Sequence, residues 1–366
     1  MLTPEVLRRL PNNVVNIMLK LEEDLIKDIA RRASQDLQTD YYIQQLLLLG
    51  QSMYEIEEKL MRAGNLSQKE VKQIMTSATK TFQSNQRTLY RAGGKDLPVI
   101  DNPAILSFLD GAIEQTQGTF RNLGRTAGFG TARRFKPIRE YYIEQIDAGI
   151  LELSTGVTDY NTVLRKTIRR FTDGGLRVVH YDSGRVYSVE AATRMNILTG
   201  MSQITGLLSE YNADLMDQDL MEITAHFDAR PSHAVWQGEI VSRSGRSGYL
   251  SLDDIGYGDV TGFKGANCRH DWFPYFEDIS VEAAKPSHYE PFEYEGKTYD
   301  AYEASQRQRY FERNIRKAKR EIIAFEAAGL QDDYLNSLAK MEGYQRNYSN
   351  FSKKANLRVK QERTFI

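Results

Sequence analysis

Only one cysteine, Cys268, occurs among the 366 residues, so no disulfide can form within the chain and cysteine-rich zinc modules are excluded. Tryptophan is nearly as scarce, with two residues, and histidine numbers five. Long apolar runs are missing as well. The richest short stretch is Leu46-Leu47-Leu48-Leu49, far below the ~18–20 residues a membrane-spanning helix needs. The opening segment, Met1 to Pro11, carries Glu5, Arg8 and Arg9 with no apolar h-region behind them, which predicts no secretory signal, no membrane partner and a reducing aqueous compartment. Neither sign of charge dominates. The 48 Lys+Arg face 49 Asp+Glu, a formal net charge of -1, which excludes a uniformly basic nucleic-acid coat and leaves room for a local basic face. Phosphate-cradling glycine motifs are also absent: Gly128-Phe129-Gly130 lacks the third glycine of a dinucleotide fingerprint, so no cofactor is expected. Internal repeats at solenoid periods and low-complexity tracts are lacking too.

What is present is an ordinary globular composition, 41% hydrophobic and 27% charged, in a 42.0 kDa chain that suits roughly two or three domains. The first 170 or so residues read as helix after helix. Thr3-Pro4-Glu5 places an N-cap residue before a proline at the first helical position, and Pro11 resets the chain. From Val14 the apolar residues Val14, Met18, Leu21, Leu25 and Ile29 keep one helical face. A second helix is predicted from near Asp40 to Ala63, ending at Gly64. The capping box Ser67-Gln68-Lys69-Glu70 then predicts a third, running towards Tyr90 and Gly93-Gly94. Asp101-Asn102-Pro103 starts a fourth, with further helices near Ile138–Leu151 and Thr158–Phe171.

The pattern changes at Leu176. Arg177 to Tyr181 and Arg185-Val186-Tyr187 are β-prone runs flanking Asp182-Ser183-Gly184, a hairpin loop with glycine last. An amphipathic helix fits Val189 to Tyr211, and Met221 to His226 and Gly238 to Val241 read as further strands. Six glycines between 245 and 265 mark a long loop that is functional or pinned by its neighbours. From Tyr302 the chain returns to helix, with 14 Lys/Arg against eight acids over 303–366. The expected fold is therefore mainly helical α+β: an elongated helical region over 1–174, a small α+β domain with short strands over 175–300, and basic C-terminal helices over 301–366.

The densest set of chemically able side chains is His226-Phe227-Asp228-Ala229-Arg230-Pro231-Ser232-His233, followed by Asn267-Cys268-Arg269-His270-Asp271. Three readings compete. His226, His233, Cys268 and His270 are four soft or borderline donors, the number a tetrahedral zinc needs. Their H-x6-H and C-x-H spacings match no common ligand pattern, and C-x-H is cramped for two ligands of one ion. Alternatively, Cys268 is a nucleophile activated by His233 or His226, though no surrounding residues resemble a known cysteine-hydrolase signature. The favoured reading is a structural lock with no catalytic residue and no metal. In it His226, Asp228, Arg230, His233, Asn267, Cys268, Arg269 and His270 form a hydrogen-bonded cluster that pins the glycine-rich loop. On the C-terminal helices, Arg309, Arg313, Arg316 and Arg320 fall on one helical face and form a candidate nucleic-acid contact, set against the plainer reading of a solvated or partner-facing helix.

The run Gly175-Leu176-Arg177-Val178-Val179-His180-Tyr181-Asp182-Ser183-Gly184-Arg185 leads into Ala192-Thr193-Arg194-Met195. It is followed by His226-x-Asp-x-Arg-Pro-x-His233-x-x-Trp-Gln-Gly238 and Gly262-x-x-Gly-x-Asn-Cys-Arg-His270. Together these motifs, covering about residues 175–280, resemble the tailed-phage minor capsid proteins, specifically the group called minor capsid protein 2. The Mu F-like head morphogenesis proteins are more distantly similar, with Arg-Pro-x-His…Gly…Asn-Cys-Arg-Cys, where this chain has His270 in the last place. The resemblance implies a virion structural protein rather than an enzyme. It would be present in a few copies per virion, built into the head in the host cytoplasm, and bound to the portal or major capsid protein. It also implies a role in DNA packaging or exit, with packaged DNA a further candidate partner. The alternative is a head-associated enzymatic or zinc-binding module using Cys268 and His233. The 21 tyrosines agree in kind, since tyrosine gives large contact area at low entropic cost; half-buried helix positions are the plainer account of them.

Overall fold

A computed structural model describes residues 4–37, 42–98, 103–121, 126–131, 134–154, 156, 158–179, 184–265, 268–281 and 289–366. Thr3, Asp40, Asp101-Asn102, the loop residues Asp182-Ser183 and Asn267 lie outside these. The fold is mainly helical α+β with small antiparallel sheets. It divides into two compact units, each assembled from three stretches: Asn12–Gln68 with Thr119–Thr193 and Gln306–Ile366, and Met1–Pro11 with Lys69–Gly118 and Arg194–Ser305.

Helix α1 (Pro4–Arg9) precedes α2 (Asn12–Asp36), whose buried Val14, Met18, Leu21, Leu25 and Ile29 are the stripe the periodicity predicts. Next comes α3 (Tyr42–Ala92), one continuous helix of 51 residues where the sequence suggests two. Gly64 does not end a helix and Ser67 does not cap one. Both are buried beside Ala63, and Ser67 Oγ donates to Met18 Sδ on α2 at 3.5 Å. Small residues on a packed face permit close approach, and that packing outweighs the roughly 1 kcal/mol that glycine costs inside a helix.

In the first unit a second departure follows. The helical series is interrupted by a hairpin, β1 (Ala127–Thr131) and β2 (Arg134–Pro137), in register from Gly128 opposite Pro137 to Thr131 opposite Arg134. Two of the five β1 residues are glycine, so no side-chain alternation announces the strand. Helices α5 (Ile138–Ser154) and α6 (Tyr160–Gly174) come next; α6 is capped by Asp159, whose carboxylate accepts from Thr162 N at 3.0 Å. Strands β3 (Arg177–Val179) and β4 (Val186–Ser188) pair as expected, and β3 also pairs with β1, completing the order β2-β1-β3-β4. Phe129 packs against both Tyr141 and Phe171, edge-on to the latter at 5.3 Å, and those two rings meet each other at 5.1 Å.

Gly175, between α6 and β3, has φ of +62°, and a Cβ there would lie 2.2 Å from Glu22 Oε1. Glu22 comes this close because its carboxylate accepts from Leu176 N at 2.6 Å and faces Arg320. Arg320 sits on the long C-terminal helix α9 (Ala301–Ala327), which is followed by α10 (Gln331–Lys354).

In the second unit, α4 (Pro103–Arg121, to Gly118) and α7 (Val189–Leu215, from Arg194) accompany a three-stranded antiparallel sheet. Its order is β6 (Ile240–Ser242), β5 (Leu220–Ile223), β7 (Trp272–Pro274). The strands near 221 and 240 are those the sequence pattern predicts; β7 has no counterpart in that pattern. A short hairpin, β8 (Phe292–Tyr294) and β9 (Lys297–Tyr299), turns on Glu295-Gly296, both at positive φ. The sheet's core is Met221, Ile223, Trp236, Val241, Phe263 and Trp272, with Cys268 among them.

Candidate functional site

The sequence between β5 and β7 places the histidine cluster. After β5 the chain reaches His226, turns, and enters a one-turn helix α8 (Pro231–Ala234) that begins with proline after an extended Arg230 (φ -65°, ψ 151°). That turn directs His233 inward, where it is 2% exposed and packs on Trp236 at 4.5 Å between ring centres. The glycine-rich loop then returns across this helix. It folds tightly: a Cβ on Gly262 would fall 1.9 Å from Gly256 O, so only glycine fits there. Cys268 and His270 complete the approach to β7, both buried.

His233, Cys268 and His270 converge, with one potential ligand atom from each lying within 4.8 Å of the others. The two Nδ1 atoms are 3.4 Å apart, and Cys268 Sγ is 3.7 Å from His270 Nδ1. The C-x-H spacing that looks cramped in sequence is therefore met in space. Each imidazole also turns its Nε2 to an oxygen: His233 to Thr261 O at 2.9 Å and His270 to Gln237 Oε1 at 3.4 Å. Arg230 Nε lies 2.8 Å from the same His233 Nε2. His226 joins differently. Its ring stacks on His270 at 4.3 Å and its Nδ1 faces Asp228 at 3.3 Å, so it stands beside the trio rather than in it.

Around this trio lies a ring of ion pairs. Asp228 receives Arg8, from α1 in the same unit, and Arg269 at 3.5 Å. Burial pushes the Asp228 carboxyl up, but the adjacent His226 imidazole and the two guanidiniums together hold it below its ordinary range. Burial lowers His226 and His233, and it lowers His270, beside the other two imidazoles, to about 2, which favours the neutral form of each ring. Lys264, at φ +60°, reaches Asp271 Oδ1 at 2.7 Å, and Asp271 N donates to Thr224 Oγ1 at 2.9 Å beside β5. Lys264, Gln237, Thr261 and Arg8 are the members that sequence reading passes over. Gln237 sits inside the Trp-Gln-Gly motif; the other three have only tertiary position to mark them.

A cavity of about 570 Å³ in the same unit is lined by Phe108, Gln115, Gln203, Glu210, Tyr257 and Lys264 among others, and contains none of the three imidazoles.

The arginine stripe on α9 is corrected by the structure. Arg316 and Arg320 are buried: Arg320 Nε donates to Thr172 O at 2.9 Å and its Nη1 faces Glu22 at 3.7 Å, while Arg316 faces Glu190 at 3.5 Å. Arg313 is exposed and Arg309 half-buried. The shared helical face is real, but acids from the same unit turn its C-terminal half inward, so the four do not form one solvent-facing surface.

Fold and cluster thus define a mainly helical α+β protein in which His226, His233, Cys268 and His270 are buried together beside the ion pairs of Asp228 and Asp271. Residues 2–353 match the family described as phage minor capsid protein 2, and the chain belongs to that family. It is similar to a structural protein of Lactococcus phage LL-H, 27% identical over 244 residues covering 65% of this chain and 64% of that protein. It is also similar to a structural protein of Lactococcus phage mv4, 37% identical over 81 residues covering 22% of this chain and 61% of that one. The chain thus spans a little under two thirds of either relative. No solved structure matches it. Among the described residues, no helix is long and apolar enough to cross a membrane.

Proposed function

We propose that the chain is a non-enzymatic component of the phage head that docks on the portal or the major capsid protein during assembly, in the host cytoplasm. In this reading the cluster at 226–271 braces the docking fold and turns over no substrate. The observation that carries it is family membership across nearly the whole chain, 2–353. The burial of His233, Cys268 and His270 supports the brace: a nucleophile must meet its substrate, and Cys268, 7% exposed, opens on a pocket of only about 40 Å³ shared with Leu7, Arg8 and Met201. Exposed apolar side chains such as Leu106, Leu207, Val235 and Val260 offer contact area for a partner.

Co-expression of the full chain with portal and with major capsid subunits tests the docking. A stable complex with either one, surviving gel filtration, is the expected result; elution of the chain alone from both mixtures would remove the reading.

A further inference from the structure

We propose that His233, Cys268 and His270 bind a tetrahedral divalent metal ion of the zinc class, which clips the glycine-rich loop to helix α8. Zinc holds nitrogen at about 2.0–2.1 Å and thiolate sulfur at about 2.3 Å, so a tetrahedral site has nitrogen–nitrogen edges of roughly 3.3 Å and nitrogen–sulfur edges of roughly 3.6 Å. Two of the three edges fit, at 3.4 Å between the two Nδ1 atoms and 3.7 Å from Cys268 Sγ to His270 Nδ1; the third, from Cys268 to His233, lies within 4.8 Å and would close on the ion. All three donors are buried.

The proton positions carry the argument further. Two Nδ1 atoms at 3.4 Å need either a proton or a cation between them, because two lone pairs facing each other repel. Thr261 O, a fixed backbone acceptor 2.9 Å from His233 Nε2, calls for a proton on Nε2, which leaves Nδ1 as a lone pair. Gln237 Oε1 calls for the same tautomer in His270. Both imidazoles then present Nδ1 to a common point that Cys268 Sγ also faces, and their outer nitrogens donate to oxygens as metal-bound histidines do. The competing, metal-free arrangement places the proton on His233 Nδ1 and lets Nε2 accept from Arg230 Nε at 2.8 Å. It sets a lone pair against the Thr261 carbonyl. In the metal-bound arrangement the mismatch falls on Arg230 instead, whose half-buried side chain carries further guanidinium donors.

This inference deepens the brace reading and rests on it only for the consequence of losing the ion. Full-length protein is purified, desalted and assayed for metal by mass spectrometry, then stripped with a chelator and reloaded with cobalt(II). The expected result is one ion per chain and visible bands of tetrahedral cobalt, with a sulfur charge-transfer band that Cys268→Ser abolishes. Gln237→Leu, which leaves the three donors in place, should weaken binding about 10–100-fold. Absence of stoichiometric metal together with octahedral, sulfur-free cobalt spectra would overturn the site. The brace would then still stand if His233→Gln lowers the melting temperature. A bound ion whose removal leaves the melting temperature unchanged would support the site and remove the brace.

Discussion

Tyr90 and Tyr348 show what a single buried phenol contributes. Tyr348 donates its hydroxyl to Glu312 at 2.9 Å and accepts from Lys360 N at 3.0 Å. Burial, and after it the Glu312 carboxylate, raise its pKa above the ordinary tyrosine value; burial is also the main cause of the rise at Tyr90, which is 0% exposed, with Asp214 adding to it and Arg243 opposing. A raised folded pKa means the unfolded chain releases the proton first. The stability these groups give is whole below the unfolded value of about 10 and is lost as pH rises beyond it. Ultraviolet titration should therefore show a fraction of the 21 tyrosines ionising only with unfolding. The melting temperature of Tyr348→Phe should fall less steeply than the parent's above a pH of about 10, and equal slopes would refute this account. The tyrosine-rich composition thus resolves into separate cases: Tyr90, Tyr142 and Tyr348 are core, while Tyr54 is 70% exposed. Composition could not sort them, because a tyrosine's two ends suit either place.

Among the elements, α9 and α3 teach opposite lessons. The periodicity of α9 correctly puts Arg309, Arg313, Arg316 and Arg320 along one face, yet Glu22, Glu190 and the Thr172 carbonyl take up two of them. Arg320→Ala should destabilise the protein by about 3–5 kcal/mol, because it leaves Glu22 buried beside an empty place, whereas exposed Arg313→Ala should stay within about 0.5 kcal/mol. Denaturant midpoints of the two variants check the contrast; similar midpoints would show that the Arg320 pair does not act as argued. In α3 the local signals, Gly64 and the Ser67-Gln68-Lys69-Glu70 box, are present and are overruled, because Ser67 is worth more packed on Met18 than exposed at a helix end. Strands β1 and β7 were illegible for a different reason. One is glycine-rich, and the other, Trp272-Phe273-Pro274, ends in proline, a residue that argues against a strand.

For the molecule as a whole, a net charge of -1 and the inward turn of Arg316 and Arg320 bear on DNA. Duplex affinity should be weak at physiological salt, with a logarithmic salt slope corresponding to only about one or two neutralised phosphates. Fluorescence anisotropy across a salt series measures this. A steep slope that flattens when Arg309 and Arg313 are neutralised would restore a nucleic-acid role for α9. Family membership, by contrast, was legible from three short motifs over about 175–280, because they hold residue types whose joint spacing few other chains would share.

The amino-acid order alone determined the helical majority, the β3–β4 pair, the strands near 221 and 240, and the participation of His226, His233, Cys268 and His270 in one region. These follow from local periodicity, turn chemistry and motif spacing, which act over a few residues. Only the tertiary structure decided that α3 runs unbroken and which arginines face water. It also decided that Cys268 and His270 share a point with His233, with Lys264, Gln237 and Thr261 around them. Those outcomes depend on contacts between residues tens or hundreds of positions apart, where burial and charge pairing outweigh local preference.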